Sequence, residues 1–294
     1  MSEVRILEQG KPLSECLIWP LIEKFYGESG PEAWSQTQTP YYPTNNAFLA
    51  ESYAELIVAY LRDAAPTLDP EEPIYILEMA AGLGVMAHLI LTTLPQKLQA
   101  FAATRDLQIR YVLTDFTEHN IEFWNREAHL DRPEIDVALF QSEKSDELIL
   151  RRSGVQLAPG TLKNPPIILA NYFFDSIRHD YFWTEQGKLF DVRPVICHLS
   201  DIPVSLATIS LYGQGHIVDP ATRYPDARWN QVLKQYTAEL PDGSFLFPVG
   251  AFQAIENLKR LGNGRGLLLC ADKGYHTLAA MEGRREVPYT PHTG

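Results

Sequence analysis

The chain has 294 residues, of which 45% are hydrophobic and 21% charged, and its formal net charge is −12. This is the composition of a globular chain, long enough for one large domain or a core with a substantial insertion, and not of a disordered one. The acidic balance argues against a nucleic-acid backbone or an anionic membrane as main partner.

The cysteines, Cys16, Cys197 and Cys270, are far apart and odd in number. They suit a reducing compartment and show no zinc or disulfide spacing. No segment reads as a signal peptide, and no apolar run is long enough to span a bilayer, so a cytoplasmic chain is expected.

In chain order, residues 13–26 carry apolar side chains at near-helical spacing, and 27–42 read as a loop rich in glycine and proline. Thr44, Asn45 and Asn46 then supply short polar side chains suited to capping a helix. Phe48, Leu49, Tyr53, Leu56, Ile57, Tyr60 and Leu61 follow on one face. Residues 1–66 are therefore predicted to form an N-terminal helical cap. A proline-rich acidic stretch, 66–73, leads to a first strand at 74–79 and a helix at 83–104 that Pro95 ends or kinks. Further strands are predicted at 109–114, 137–140 and 167–170, with helices at 118–129 and 145–152 between them. Short buried strands alternating with helices imply a parallel α/β sheet. From 176 to 248 the pattern changes to short antiparallel strands at 181–183, 189–192, 195–198 and 207–212, then a helix at 229–240. That segment is predicted to be an insertion on the substrate side. A helix at 251–261 and a fifth strand at 266–271 complete a core made of 67–175 and 249–275, leaving a tail from 276.

The stretch that organises the rest is IYILEMAAGLGVMA, residues 74–87. It reads as strand, small-residue turn and helix N-terminus. In an open parallel sheet a ligand sits at the carboxyl end of such a strand. Gly82-Leu83-Gly84-Val85-Met86-Ala87 fits the dinucleotide pattern G-x-G-x-x-G/A. Glu78, placed before the glycines, does not belong to that pattern. The acidic residue expected about 20 positions on should end a second strand. Asp106 precedes that strand, and Asp115 ends it later than the pattern requires.

Glu78-Met79-Ala80-Ala81-Gly82-Leu83-Gly84 reads better as E-x-G-x-G-x-G with Ala80 at the first glycine. It resembles the first motif of class I S-adenosylmethionine-dependent methyltransferases, with their Rossmann-like sheet. Pro166-Ile167-Ile168-Leu169-Ala170-Asn171-Tyr172-Phe173-Phe174-Asp175-Ser176 is similar to the N-E-F-F-D-A-L-P block of the MidA-like methyltransferases, which include the mitochondrial complex I assembly methyltransferase. The second strand and helix, the Trp183-Thr184-Glu185-Gln186-Gly187 hairpin and the RGLLLCADKGY strand from Arg265 agree in the same order.

The resemblance implies S-adenosylmethionine as cofactor. Gly82 and Gly84 would lie at its backbone, with Ala80 in the same turn, Glu78 near its methionine part and Asp115 on its ribose hydroxyls. Gln141 follows the third strand, on the adenine side, where a plain loop residue is the simpler reading. Asn171, Tyr172, Asp175 and His179 lie just beyond the fourth strand, where acceptor-side groups would sit. Asn171 is a candidate for both the cofactor and the acceptor. For Asp175 a helix N-cap is an equal alternative, for Tyr172 wall packing, and for His179 a surface position. His292 matches a histidine after the family's fifth strand, and Tyr41 and Tyr42 are candidates for the substrate mouth. The histidines show no metal-binding spacing, so no metal is expected.

The resemblance implies N-methylation of a protein or peptide side chain, of the arginine type; the acidic charge leads to the expectation of no nucleic-acid or membrane partner. The family's glutamate after the asparagine is Tyr172 here, which bears directly on that activity. The alternatives are an NAD(P)-dependent oxidoreductase and a silent assembly factor that keeps the cofactor fold. After the fifth strand no apolar strand pair follows to form the final hairpin of such a sheet, so either a shortened chain or a homo-oligomer is expected.

Overall fold

The computed structural model describes residues 4–30, 45–199 and 201–284. Tyr41, Tyr42 and His292 lie outside the described residues. In chain order the strands are β1 (Val4–Glu8), β2 (Ile74–Glu78), β3 (Ile109–Asp115), β4 (Ile135–Leu139), β5 (Leu148–Ile149), β6 (Gln156–Leu157), β7 (Ile167–Asn171), β8 (Asp180–Glu185), β9 (Lys188–Leu199), β10 (Ile209–Val218), β11 (Gly243–Phe247) and β12 (Leu267–Ala271). The helices are α1 (Ile18–Ser29), α2 (Ala47–Ala64), α3 (Val85–Gln99), α4 (Glu118–Trp124), α5 (Ala227–Glu239) and α6 (Val249–Leu261). The chain divides after Phe25, Ser176, Gly250 and Asp272 into two compact units.

The first unit to consider is a Rossmann-like α/β domain. Its sheet has the order β12-β7-β2-β3-β4, with every neighbouring pair parallel. The first strand of this sheet in the chain, β2, lies in the middle, so the strand order reverses beside it. Ile74, Ile76, Tyr111, Leu113, Ile135, Val137, Ile167 and Leu169 form one face of the core and pack with α2, α3 and α4. Asn46 caps α2 by accepting from the Leu49 N–H at 3.0 Å, as its composition predicts.

Four expectations here are corrected. Residues 145–152 are not a helix. Leu148 and Leu150 are buried and Ile149 is 57% exposed, an alternation of period two, and Leu148–Ile149 pairs with Gln156–Leu157. The helix at 83–104 is Val85–Gln99 and continues past Pro95. Pro95 has no N–H for the Leu91 carbonyl, and the Arg132 guanidinium donates to that oxygen at 3.5 Å instead. The helix at 118–129 stops at Trp124. The loop expected from Gly27 begins later, because α1 runs on to Ser29.

The second unit is built on an antiparallel sheet of order β1-β9-β8-β11, with β10 also paired to β9. One sheet face carries Tyr181, Val192 and Ile196 against Leu13, Cys16 and Trp19. The predicted helical cap over 1–66 is thus divided. Its first residues form β1, which pairs with β9, while α2 belongs to the parallel-sheet unit. The strands expected at 189–192 and 195–198 are one continuous β9. Pro194 is tolerated because β8 pairs with residues 188–191 and β1 with 196–199, leaving 192–195 without a ladder on that edge.

Among the described residues no strand pairs with the outer edge of β12. No helix among them is long and apolar enough to cross a membrane.

Candidate functional site

The site is assembled at the carboxyl ends of β2, β3, β7 and β12. Past Glu78 the backbone enters the left-handed region three times, at Ala80 (φ 48°), Gly82 (φ 54°) and Gly84 (φ 70°). Glycine accepts this geometry freely, whereas an L-residue such as Ala80 is strained by about 1–2 kcal/mol. The E-x-G-x-G-x-G reading is therefore physical: the position where Ala80 replaces glycine is one that favours glycine. Gly84 also has no room for a side chain, since a Cβ there would lie 2.8 Å from Leu130 Cδ1.

Neighbouring strands hold the turn. The Met79 N–H donates to the Leu169 carbonyl at 2.8 Å and the Ala81 N–H to that of Thr114 at 3.0 Å. The buried Trp124 indole N–H donates to the Gly82 carbonyl at 2.8 Å. No side chain caps α3, so its first-turn N–H groups face the mouth of the turn uncapped.

Glu78 closes β2 and is 5% exposed. Its Oε2 accepts from the Tyr111 hydroxyl at 2.8 Å. Burial pushes its carboxyl up to about 8, against the pull of the Tyr111 hydrogen bond.

Across the sheet, β7 is followed by a further left-handed residue, Tyr172 (φ 49°), whose N–H donates to the Ala271 carbonyl at 2.7 Å. Strained residues of this kind collect at functional sites. Asn171 Oδ1 accepts from the Tyr53 hydroxyl at 3.0 Å, which fixes the amide against α2. Burial raises that hydroxyl to about 12, with Cys270, Tyr172 and Glu78 adding to the effect. Asp175 lies in the short turn Phe174–Ser176, and its N–H donates to Asp272 Oδ2 at 3.1 Å. Its carboxyl is pushed up to about 6 by burial and then by the charge of Asp272.

Asp115 is buried at the end of β3, and its carboxylate turns inward. Oδ1 accepts from the N–H groups of Phe116 at 2.8 Å and Thr117 at 3.1 Å, and Oδ2 from the Asn120 amide at 2.7 Å. Burial raises it, with those donors pulling it back. Gln141 follows β4, where its carbonyl accepts from the N–H groups of Lys144 at 2.8 Å and Ser145 at 3.0 Å. Among the described residues of this unit, two buried polar atoms have no partner: Asn120 Oδ1, beside Asp115, and Ser142 Oγ.

Glu78, Ala80, Gly82, Gly84, Asp115, Gln141, Asn171, Tyr172 and Asp175 thus all belong to the parallel-sheet unit, at the strand ends or the loops directly after them. His179 belongs to the other unit, where it is buried and stacks on Trp19 with centroids 6.4 Å apart. Sequence reasoning missed Tyr53, Tyr111 and Asp272. A tyrosine inside an otherwise apolar strand or helix face is a usable signal, because its buried hydroxyl needs a partner. Among the described residues there is no group of three or more metal-ligating side chains.

Fold and strand order together define a Rossmann-like α/β domain. No family profile and no curated protein matches the chain. Two solved structures from Burkholderia thailandensis are similar to it. One is an uncharacterized superfamily protein, 14% identical with a TM-score of 0.49, aligned over 94% of this chain and 59% of its own. The other, described as a candidate methyl transferase of that superfamily bound to S-adenosyl-homocysteine, is 15% identical with a TM-score of 0.44, over 79% of this chain and 48% of its own. The chain therefore spans about half the length of each.

Proposed function

We propose that this chain is an S-adenosylmethionine-dependent methyltransferase whose cofactor lies on the Ala80–Gly84 turn. One observation carries the reading: a left-handed small-residue turn at the point of strand-order reversal, with the buried carboxyl of Glu78 at its foot. The residues fit the group. Among the described residues Glu78 has a neutral donor and no ion-pair partner, so an amino-acid ammonium suits it. Asp115 at the end of β3 would take the ligand's ribose hydroxyls. Gly82, Gly84 and Ala80 would lie along the ligand backbone, and Gln141 beyond β4 on the side of its base.

When bound, S-adenosylmethionine supplies a methyl group already activated on a sulfonium. The chain's own task is alignment and proton removal. Asn171, held by Tyr53, orients the acceptor. Asp175, with its carboxyl near 6, takes the acceptor's proton at neutral pH. The Asp175–Asp272 pair suits a positively charged acceptor, such as an amine or guanidinium on a protein or peptide. Tyr172 occupies the position of the family's glutamate, which favours a silent cofactor-binding protein as the second reading.

Isothermal titration with S-adenosylhomocysteine and, in parallel, NADH tests the proposal. Micromolar binding of the first alone is expected. Binding of NADH alone would overturn it in favour of an oxidoreductase. Cofactor binding without transfer to any basic peptide would favour the silent reading.

A further inference from the structure

The Glu78 carboxyl is buried at the foot of the turn without a counter-charge. Tyr111, fully buried on β3, donates to it. The Thr114 hydroxyl, on the same strand, is committed to the Glu78 carbonyl at 2.8 Å. On α2 the Tyr53 hydroxyl, donating to Asn171 Oδ1 at 3.0 Å, is raised by burial and then by the charges of Cys270, Tyr172 and Glu78. Each of these groups is neutral or, when ionised, an anion. Among the described residues no lysine, arginine or histidine makes an ion pair with Glu78, and no cation contributes to its titration. A carboxyl in such surroundings holds its proton at neutral pH, because a buried charge without a partner is costly.

We propose that ligand binding at this turn is coupled to release of one proton from the Glu78–Tyr111 pair, so that affinity rises with pH. The inference rests on the reading that an S-adenosylmethionine-type ligand binds here. The balance is simple. Neutral Glu78 meets a ligand bearing an ammonium group, the carboxyl O–H bond breaks, its proton goes to buffer, and an ammonium–carboxylate pair remains. Tyr111 is a positioning residue: it keeps its hydrogen bond throughout, directed at the anion. No ionisation is required for a ligand lacking an ammonium group at this point.

The experiment is titration of the wild-type chain with S-adenosylhomocysteine at pH 7 in phosphate and in Tris, whose ionisation enthalpies differ. The expected result is release of most of one proton at pH 7, with affinity rising severalfold per pH unit through the neutral range and levelling above about 8. Glu78→Gln should bind at least tenfold more weakly and release no proton. Tyr111→Phe should move the levelling to higher pH, an effect that loss of packing alone does not produce. Binding with no buffer-dependent heat in the wild type would overturn the inference and leave the methyltransferase reading intact. Undiminished release in Glu78→Gln would assign the proton elsewhere and also overturn it. Absence of S-adenosylhomocysteine binding would overturn the reading beneath it. The wild-type titration decides the matter even where a variant fails to fold.

Discussion

The two units treat buried carboxylates in opposite ways. In the antiparallel unit, Asp180 and Asp191 are essentially inaccessible, and both are met by cations. Arg223 donates to Asp180 Oδ2 and to Asp191 Oδ2, each at 3.1 Å, and Arg193 donates to Asp191 at 3.1 Å. Ser14 N–H and the Tyr224 hydroxyl complete Asp180 at 3.0 and 2.6 Å. Burial still raises Asp191, but the guanidinium of Arg223 pulls it back. In the parallel unit Glu78 is also buried, and among the described residues its carboxyl receives one neutral donor. Acids met by guanidinium groups hold a fold together, although Asp191 Oδ1 is left without a partner among the described residues. An acid left uncompensated at the end of the central strand costs stability, and a ligand can supply the missing charge.

The contrast can be broken in order of expected effect. Folded Glu78 keeps its proton up to about 8, whereas the unfolded chain releases it near the ordinary glutamate value of 4.5. Folding is therefore penalised progressively as pH rises through that window, and the penalty is constant above it. Between pH 5 and 9 the wild type should lose roughly 4 kcal/mol that Glu78→Gln does not lose. Urea unfolding of both proteins at the two pH values measures the difference, and parallel behaviour of the two would refute the prediction.

Arg223→Ala should destabilise the antiparallel unit by about 3–4 kcal/mol, because two buried carboxylates lose a shared partner. Chemical denaturation followed by tryptophan fluorescence reads this. A loss below about 1 kcal/mol would mean that the other donors suffice.

Gly84→Ala sharpens the comparison at the turn itself. Left-handed strain and the clash with Leu130 together should cost about 2–3 kcal/mol and weaken S-adenosylhomocysteine binding. Calorimetric Tm and titration on the same sample check both effects. The smallest expected change is a gain. Ala80→Gly relieves the strain at φ 48° and loses some unfolded-state advantage, for a net stabilisation of about 0.5–1 kcal/mol. An unchanged or lower Tm would show that Ala80 is accommodated without strain.

Much of this was legible beforehand. β2, β3, β7 and β12 are short apolar runs that end in a polar or small residue, and that pattern is local. The turn was legible because left-handed backbone restricts residue type. The segment 145–152 misled because Leu148, Ile149 and Leu150 are all apolar in sequence, so nothing there marks the alternation of burial that the structure shows. Pro194 misled because its tolerance depends on which edge of β9 lacks a neighbour. His179 follows Asp175 closely in sequence but falls beyond the boundary between the units.

The sequence by itself determined a parallel α/β core, its central strand and a turn built for close approach, because periodicity and φ preference belong to the residues themselves. Only the tertiary structure decided what the acids do. Asp115 is turned inward on Asn120 and the Thr117 N–H, and Asp175 is set beside Asp272 from a distant strand. Glu78 is set against Tyr111, and among the described residues no cation forms an ion pair with it. A carboxyl's charge follows from its surroundings, and those are contributed by residues 2 to 97 positions away in the chain.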